Sequence, residues 1–287
     1  MDRNKILRMA KNEYVKWITN PKMIILVVML IFAYDYVILE LSDAADKMNV
    51  NIQIFEGFIG ISNSQVLIMI IPIVFIGLMG DFPRTDGNSM LYIYRIGKTN
   101  WLMGQVLFLM MASVTYLALL IGFSIATLSG KSYFSDKWSE VTTKYYLFAP
   151  NDYESNVAKL TTGRLYNNLK PTEAMANIVV LMFLLMILIS MMLLVAFICK
   201  RKIAGMVITI GIMCMGNVFA YMENNTRWLF PSSHAILEMH FDEIYKEPVM
   251  DMCWSYMYYI LGIAVLFIIA LVNVDKYDFS KIQELEE

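Results

Sequence analysis

Charge is scarce in this chain. Only 17% of its 287 residues are Asp, Glu, Lys or Arg, where a soluble domain of that size carries roughly a quarter. The shortfall is concentrated in long blocks that hold no charge at all. With a formal net charge of -2 there is no basic field, so nucleic acid is not an expected partner. Cysteine is nearly absent: Cys199, Cys214 and Cys253 lie in or beside apolar blocks, too few and too scattered for a disulfide framework or a zinc knuckle, and read as packing residues. The familiar signatures of chemistry are missing as well. There is no G-x-x-x-x-G-K-[ST] phosphate loop, no H-E-x-x-H and no G-x-S-x-G elbow. The chain therefore does not bind ATP through a phosphate loop of its own. It has no internal repeat and no low-complexity tract. The first twenty-two residues are charged throughout, the apolar run after them is too long for a signal core, and no small-residue cleavage site ends it. They are expected to form a cytoplasmic segment leading into an anchor.

What is present is apolar length. The chain is 58% hydrophobic with a mean hydropathy of +0.55. A membrane helix needs roughly 20 mostly apolar residues to cross about 30 Å of hydrocarbon. Six stretches qualify or nearly do: residues 23–41, 65–80, 101–128, 174–199, 203–222 and 252–274. The second is short, holds Pro72, and is open to lengthening by the apolar-rich residues from Val50 onward. Backbone groups in lipid must be satisfied within the segment, so the spans are helices, and unalternating runs exclude an outer-membrane barrel. The expected fold is an all-α membrane protein with a six-helix domain over residues 23–274.

Basic residues set the orientation. Arg3, Lys5, Arg8, Lys11, Lys16 and Lys22 precede the first span. Arg84, Arg95 and Lys98 lie between the second and third, and Lys200, Arg201 and Lys202 between the fourth and fifth. The other short connections carry fewer, so both termini are expected in the cytoplasm, with segments 129–173 and 223–251 outside and 275–287 a cytoplasmic tail. Within residues 1–22, Ile6, Leu7, Met9, Ala10, Tyr14, Val15, Trp17 and Ile18 form an apolar stripe against a basic face, the pattern of an interfacial helix that Asn20-Pro21 ends. Outside, Tyr133, Phe134, Trp138, Tyr145, Tyr146, Phe148 and Tyr153 argue for a small folded cap rather than a disordered loop.

Four features are candidates for function. Asp35, flanked by Tyr34 and Tyr36, lies about 18 Å from Met23 at 1.5 Å per residue. An ionisable group at that depth usually faces a cavity or a partner, so Asp35 and Tyr34 are candidates for a translocation path. The competing reading starts the helix nearer Pro21 and carries Asp35 and Glu40 to the outer interface. Second, His234, Glu238 and His240, followed by Asp242 and Glu243, look superficially like a metal cluster. The two histidines are six positions apart, off the i, i+4 spacing that pairs ligands on one helix, so an outer-surface helix or turn is expected and no metal. Third, the 24 methionines suit a pliable path, although ordinary packing accounts for most of them. The fourth is the connection over residues 81–100. There Asn88 or Ser89 and Gly97 can bound a short helix bearing Met90, Leu91, Tyr94 and Arg95, with Asn100 capping the third span.

That connection resembles the cytoplasmic loop of the ABC-2 type permeases, in which an acidic-to-glycine stretch is followed by an Arg-x-Gly/Arg-Lys turn and an aromatic residue opening the next span. Arg95, Gly97, Lys98 and Trp101 fall on that pattern. The acidic residue ahead of the glycine is Asp81 or Asp86, where the family usually has glutamate, and the outer segment after the third span is larger than in many members. The resemblance implies a bacterial plasma-membrane exporter subunit that is not itself an enzyme. It implies a second permease subunit, identical or homologous, and two separate cytoplasmic ATPase subunits that hold ATP and Mg²⁺. Asp81, Arg84, Tyr94 and Arg95 would couple ATPase closure to the membrane helices. A hydrophobic or amphipathic cargo is implied: a peptide, an antimicrobial or toxin-like peptide, or a drug. The alternatives are a membrane-embedded protease or acyltransferase using residues 234–243, and an ion-coupled transporter, for which only Asp35 and Pro72 speak.

Overall fold

The computed structural model describes residues 2–84, 95–150, 156–222, 225–243 and 248–274. Their architecture is almost wholly helical, and several helix boundaries have a local cause. Helix α1 (Arg3–Ile18) opens where the Asp2 carboxylate accepts from the backbone N–H of Asn4 at 3.1 Å and of Lys5 at 3.4 Å. Asn20 breaks it and starts α2 (Pro21–Met48), whose first turn has Pro21 in the position where a missing N–H costs nothing. Inside α2, residues Tyr34–Leu39 widen into a π-helical stretch, and Asn49, in the left-handed region at φ 54°, ends the helix.

Next come strand β1 (Ile52–Gln53), α3 (Glu56–Asn63) and α4 (Leu67–Leu78). Helix α5 (Lys98–Leu128) follows Gly97, whose φ of 84° suits only glycine comfortably. Strand β2 (Ser132–Tyr133) pairs in parallel with β1, and α6 (Glu140–Phe148), α7 (Val157–Leu160) and α8 (Gly163–Tyr166) complete a cap. Helix α9 (Pro171–Ile198) again begins at a proline, with Glu173 accepting the Lys170 N–H at 3.3 Å. Helix α10 (Lys202–Ala220), a 3₁₀ turn (Asn225–Leu229), α11 (Pro231–Ala235), a second 3₁₀ turn (Leu237–His240) and α12 (Met252–Val274) finish the described chain.

Among the described residues, five helices are long and apolar enough to cross a membrane: α2, α5, α9, α10 and α12. The second expected span departs from its prediction. Instead of one helix lengthened from residue 65 toward Val50, α3 and α4 meet at a bend of 84°. They make a sixth span only if the bent pair is counted as one. Ser64 takes extended backbone there, and Asn217 on α10 donates to the Gln65 carbonyl at 3.1 Å, meeting an acceptor the break exposes. Every residue of α3 is buried, because α4, α5, α9 and the cap enclose it. The first span also runs seven residues past its expected end at Leu41, to Met48. Its polar last turns leave the apolar layer and pack on the cap, where Glu40 accepts the Asn156 N–H at 2.8 Å.

Helix α9 is the hub: it contacts α3, α4, α5, α10, α11 and α12 and has the largest buried share of the five long helices. At one end of the bundle lie Lys22, Arg84, Lys98 and Lys200–Lys202, a basic end; the cap covers the other. The cap is held less by its aromatics than their number suggests. Phe134, Tyr146 and Phe148 are exposed, whereas Val141, Tyr145, Leu160 and Leu165 are buried. Glu56 ties the cap down, its two oxygens accepting the backbone N–H and the hydroxyl of Ser139, each at 2.6 Å.

Candidate functional site

At the basic end the structure brings together two of the predicted coupling residues, Asp81 and Arg84. Helix α1 does not simply lie flat with one apolar stripe turned to lipid. Its buried face, Met9, Ala10, Glu13 and Trp17, packs against the start of α5. The approach is close because α5 has Gly104 there: a Cβ at that position would stand 2.8 Å from Met9 Cγ and 3.4 Å from the Ile6 carbonyl. Tyr14 and Thr115 share a hydrogen bond of 2.8 Å between their hydroxyls, and the Trp17 ring stands edge-on to Phe108. At the helix start, the Asp2 N–H donates to Asn100 Oδ1 at 3.2 Å. Asn100 was expected to cap the third span. That helix starts three residues earlier, after Gly97, and Asn100 instead anchors α1. Leu7 and Val15 stay about half exposed, leaving an apolar ridge beside the exposed Arg3, Lys5, Arg8 and Lys11.

Asp81 closes this unit. Lys22 Nζ lies 2.6 Å from its Oδ1 and Asn20 Nδ2 donates to its Oδ2 at 3.2 Å. The Lys22 hydrogen bond, opposed by partial burial, holds the Asp81 carboxyl below its ordinary range. Three residues on, Arg84 Nη2 donates to the Lys16 carbonyl near the end of α1 at 2.9 Å. Between them Phe82 is buried against Phe108. The turn after α4, the end of α1 and the foot of α2 are therefore one hydrogen-bonded body. Arg95 is exposed just ahead of Gly97 and α5. Tyr94, and with it the short helix expected from Asn88, lies outside the described residues.

Asp35 and Tyr34 sit elsewhere. The helix starts at Pro21, so Asp35 is about 21 Å along it, on the π-helical stretch and turned outward among exposed Val28, Ile31, Phe32 and Leu39. Tyr34 meets Phe123 edge-on. Neither lines two apolar clefts that share Phe183, one of about 440 Å³ between α5, α9 and α12 and one of about 340 Å³ between α5 and α9.

At the cap end the structure makes a cluster whose partner residue the sequence does not announce. His234 and His240, far apart for one helix, are brought face to face by the break between α11 and the second 3₁₀ turn. Both rings reach the Ser255 hydroxyl on α12, at 2.8 Å from His234 Nδ1 and 2.7 Å from His240 Nε2. All three residues are buried. Burial lowers both histidines, His240 to about 4, and raises Glu238, which accepts from the Thr162 hydroxyl at 3.1 Å, to about 7. Among the described residues no group of three His, Cys, Asp or Glu side chains is placed to hold a metal.

No protein-family model, curated protein or solved structure matches the chain.

Proposed function

We propose that the chain is the membrane-spanning permease subunit of an ATP-driven exporter, powered by separate ATPase subunits that dock at the basic end. The observation that carries this reading is the body built around Asp81. A push on the turn after α4 reaches α1 through Arg84 and the foot of α2 through Lys22, and α1 passes it to α5 along the Gly104 contact. Force transfer needs packing and hydrogen bonds rather than a reacting group, and this is what the site offers. Asp81 and Arg84 hold the body together, and exposed Arg95, with Tyr94 beside it in sequence, is the docking group.

In this account both termini are cytoplasmic and the cap is outside. ATP and Mg²⁺ belong to the two ATPase partners, a second permease subunit completes the path, and a hydrophobic or amphipathic peptide or drug moves outward between the two bundles. Affinity capture of the full-length chain from membranes tests the reading. A phosphate-loop ATPase is expected with the wild type and is lost with Arg95→Glu; undiminished capture by that variant overturns the docking assignment.

A membrane-embedded hydrolase draws support from one observation, the Ser255 hydroxyl between two imidazoles. That hydroxyl is completely buried against the segment between α10 and α12, out of a substrate's reach in this conformation. The exporter reading is the one the geometry favours.

A further inference from the structure

The contacts around Ser255 can be counted in protons. Four links run in a row. His234 Nε2 faces the Trp228 carbonyl at 2.8 Å, and its Nδ1 faces Ser255 Oγ. Ser255 Oγ faces His240 Nε2, and His240 Nδ1 faces the carbonyls of Ile236 and Leu237 at 3.2 and 3.3 Å. Every link joins two atoms that both carry lone pairs, so each needs one hydrogen between them. Two neutral imidazoles and one hydroxyl supply three. Whichever tautomers are chosen, one link is left with two lone pairs opposed. A single added proton fills all four.

We infer that His234, Ser255 and His240 form a binding site for one proton, and that filling it latches the outer segment between α10 and α12 to the last helix.

The elements joined are the right ones for a latch. Both histidines belong to the segment between α10 and α12, and Ser255 lies in the first turn of α12. Two more α12 side chains reach the same segment: Tyr258 donates to the Leu229 carbonyl at 3.0 Å and Tyr259 to that of Pro231 at 2.6 Å. An aromatic wall suits a delocalised cation. Trp228 lies 5.3 Å from His234 and 5.2 Å from His240, and Tyr258 stacks on His234 at 4.2 Å.

The surrounding charges decide when the site fills. Arg227, from the 3₁₀ turn before α11, lies over Trp228 and disfavours a charge on His240. Glu238, in the same turn as His240, is itself raised by burial and offers a full negative charge only above about 7. Arg164 on α8 opposes that rise in Glu238, while Glu243 and Tyr221, at the end of α10, are the other titratable groups near it. Tyr258 and Tyr259 of α12 contribute neutral phenols. Burial and Arg227 hold the proton off at neutral pH and the unfilled link draws it in as the medium acidifies. A second proton would oppose two imidazoliums across one hydroxyl and is excluded.

The chain contains only these two histidines, so ¹⁵N-histidine NMR of the full-length protein in nanodiscs reads the site directly. Between pH 7 and 4, with the segment between α10 and α12 folded, one proton per chain is expected to bind, with both rings shifting at a common midpoint. In Ser255→Ala the common midpoint is lost and the rings respond separately, whereas Ser255→Thr, which keeps the hydroxyl, retains it. Two imidazoles that stay neutral until the protein unfolds, or that take up two protons at separate midpoints in the wild type, overturn the inference. The wild-type titration alone decides if the alanine variant does not fold.

Discussion

Lys22 Nζ and Asp81 Oδ1 stand 2.6 Å apart, joining the foot of the first long helix to the turn that follows the bent pair. Both side chains are nearly half exposed, so solvent screens the pair and its worth to stability is about 0–1 kcal/mol. Its importance is geometric, since the same carboxylate also holds Asn20. Asp81→Ala is therefore expected to leave the melting temperature almost unchanged while reducing ATP-driven transport several-fold. Lys22→Asp with Asp81→Lys should recover part of the loss. A double variant no better than either single change removes the ion pair from the coupling route.

Gly104 gives a second test. A side chain there meets Met9 Cβ and Cγ inside 3 Å and the Ile6 carbonyl at 3.4 Å. Overpacking of this kind typically costs about 1–3 kcal/mol. Gly104→Val should lever α1 off α5, raising protease cleavage within residues 3–18, while the remaining helices keep their protection. Unchanged cleavage would mean that α1 is held by something other than this contact.

Glu238 predicts a pH dependence at the cap end. Its folded pKa of about 7 stands above the unfolded value of 4.5 because burial favours the neutral acid. The stabilising effect is complete below pH 4.5, is lost as pH rises through about 7, and amounts to about 3 kcal/mol across that window. Thermal melts should fall from pH 5 to pH 8, and Glu238→Gln should flatten the slope and melt higher than wild type at pH 8. An equally steep slope in the variant refutes the assignment.

Asp35 carries the fourth prediction. An outward-facing carboxylate among exposed apolar residues of a helix fit to cross a membrane calls for a polar neighbour. Asp35→Ala should change transport of the true cargo while leaving expression and fold intact. Transport indistinguishable from wild type would make it an interface residue without a role in the path.

Much of this was legible in local sequence. Apolar length located the long helices to within a few residues except at the end of the first, and Pro21 was one of the two starts considered for that helix; Gly97, expected to close a short helix, instead precedes the third span. The nearness of Asp81 and Arg84 to the N-terminal helix follows less directly, from a basic helix and an acidic turn expected on the same side. What stayed hidden depends on contacts distant in sequence. Glu13 gives no sign that it is buried on α5, and the 84° bend replaces a straight span because α3 is enclosed on every side. His234 and His240 were visible as a pair, but Ser255 was one hydroxyl in an apolar run, and only folding places it between them.

The central claim is that power arrives through a partner at residues 81–100, and ATP hydrolysis in a reconstituted complex tests it most directly. The chain and the phosphate-loop ATPase proposed as its partner are placed in liposomes, and turnover is compared between wild type and Arg95→Glu. The wild-type chain is expected to change the ATPase rate several-fold over the ATPase alone, and Arg95→Glu to abolish this effect with the bundle still folded. An ATPase rate indifferent to the wild-type chain, or equally responsive to the variant, contradicts it.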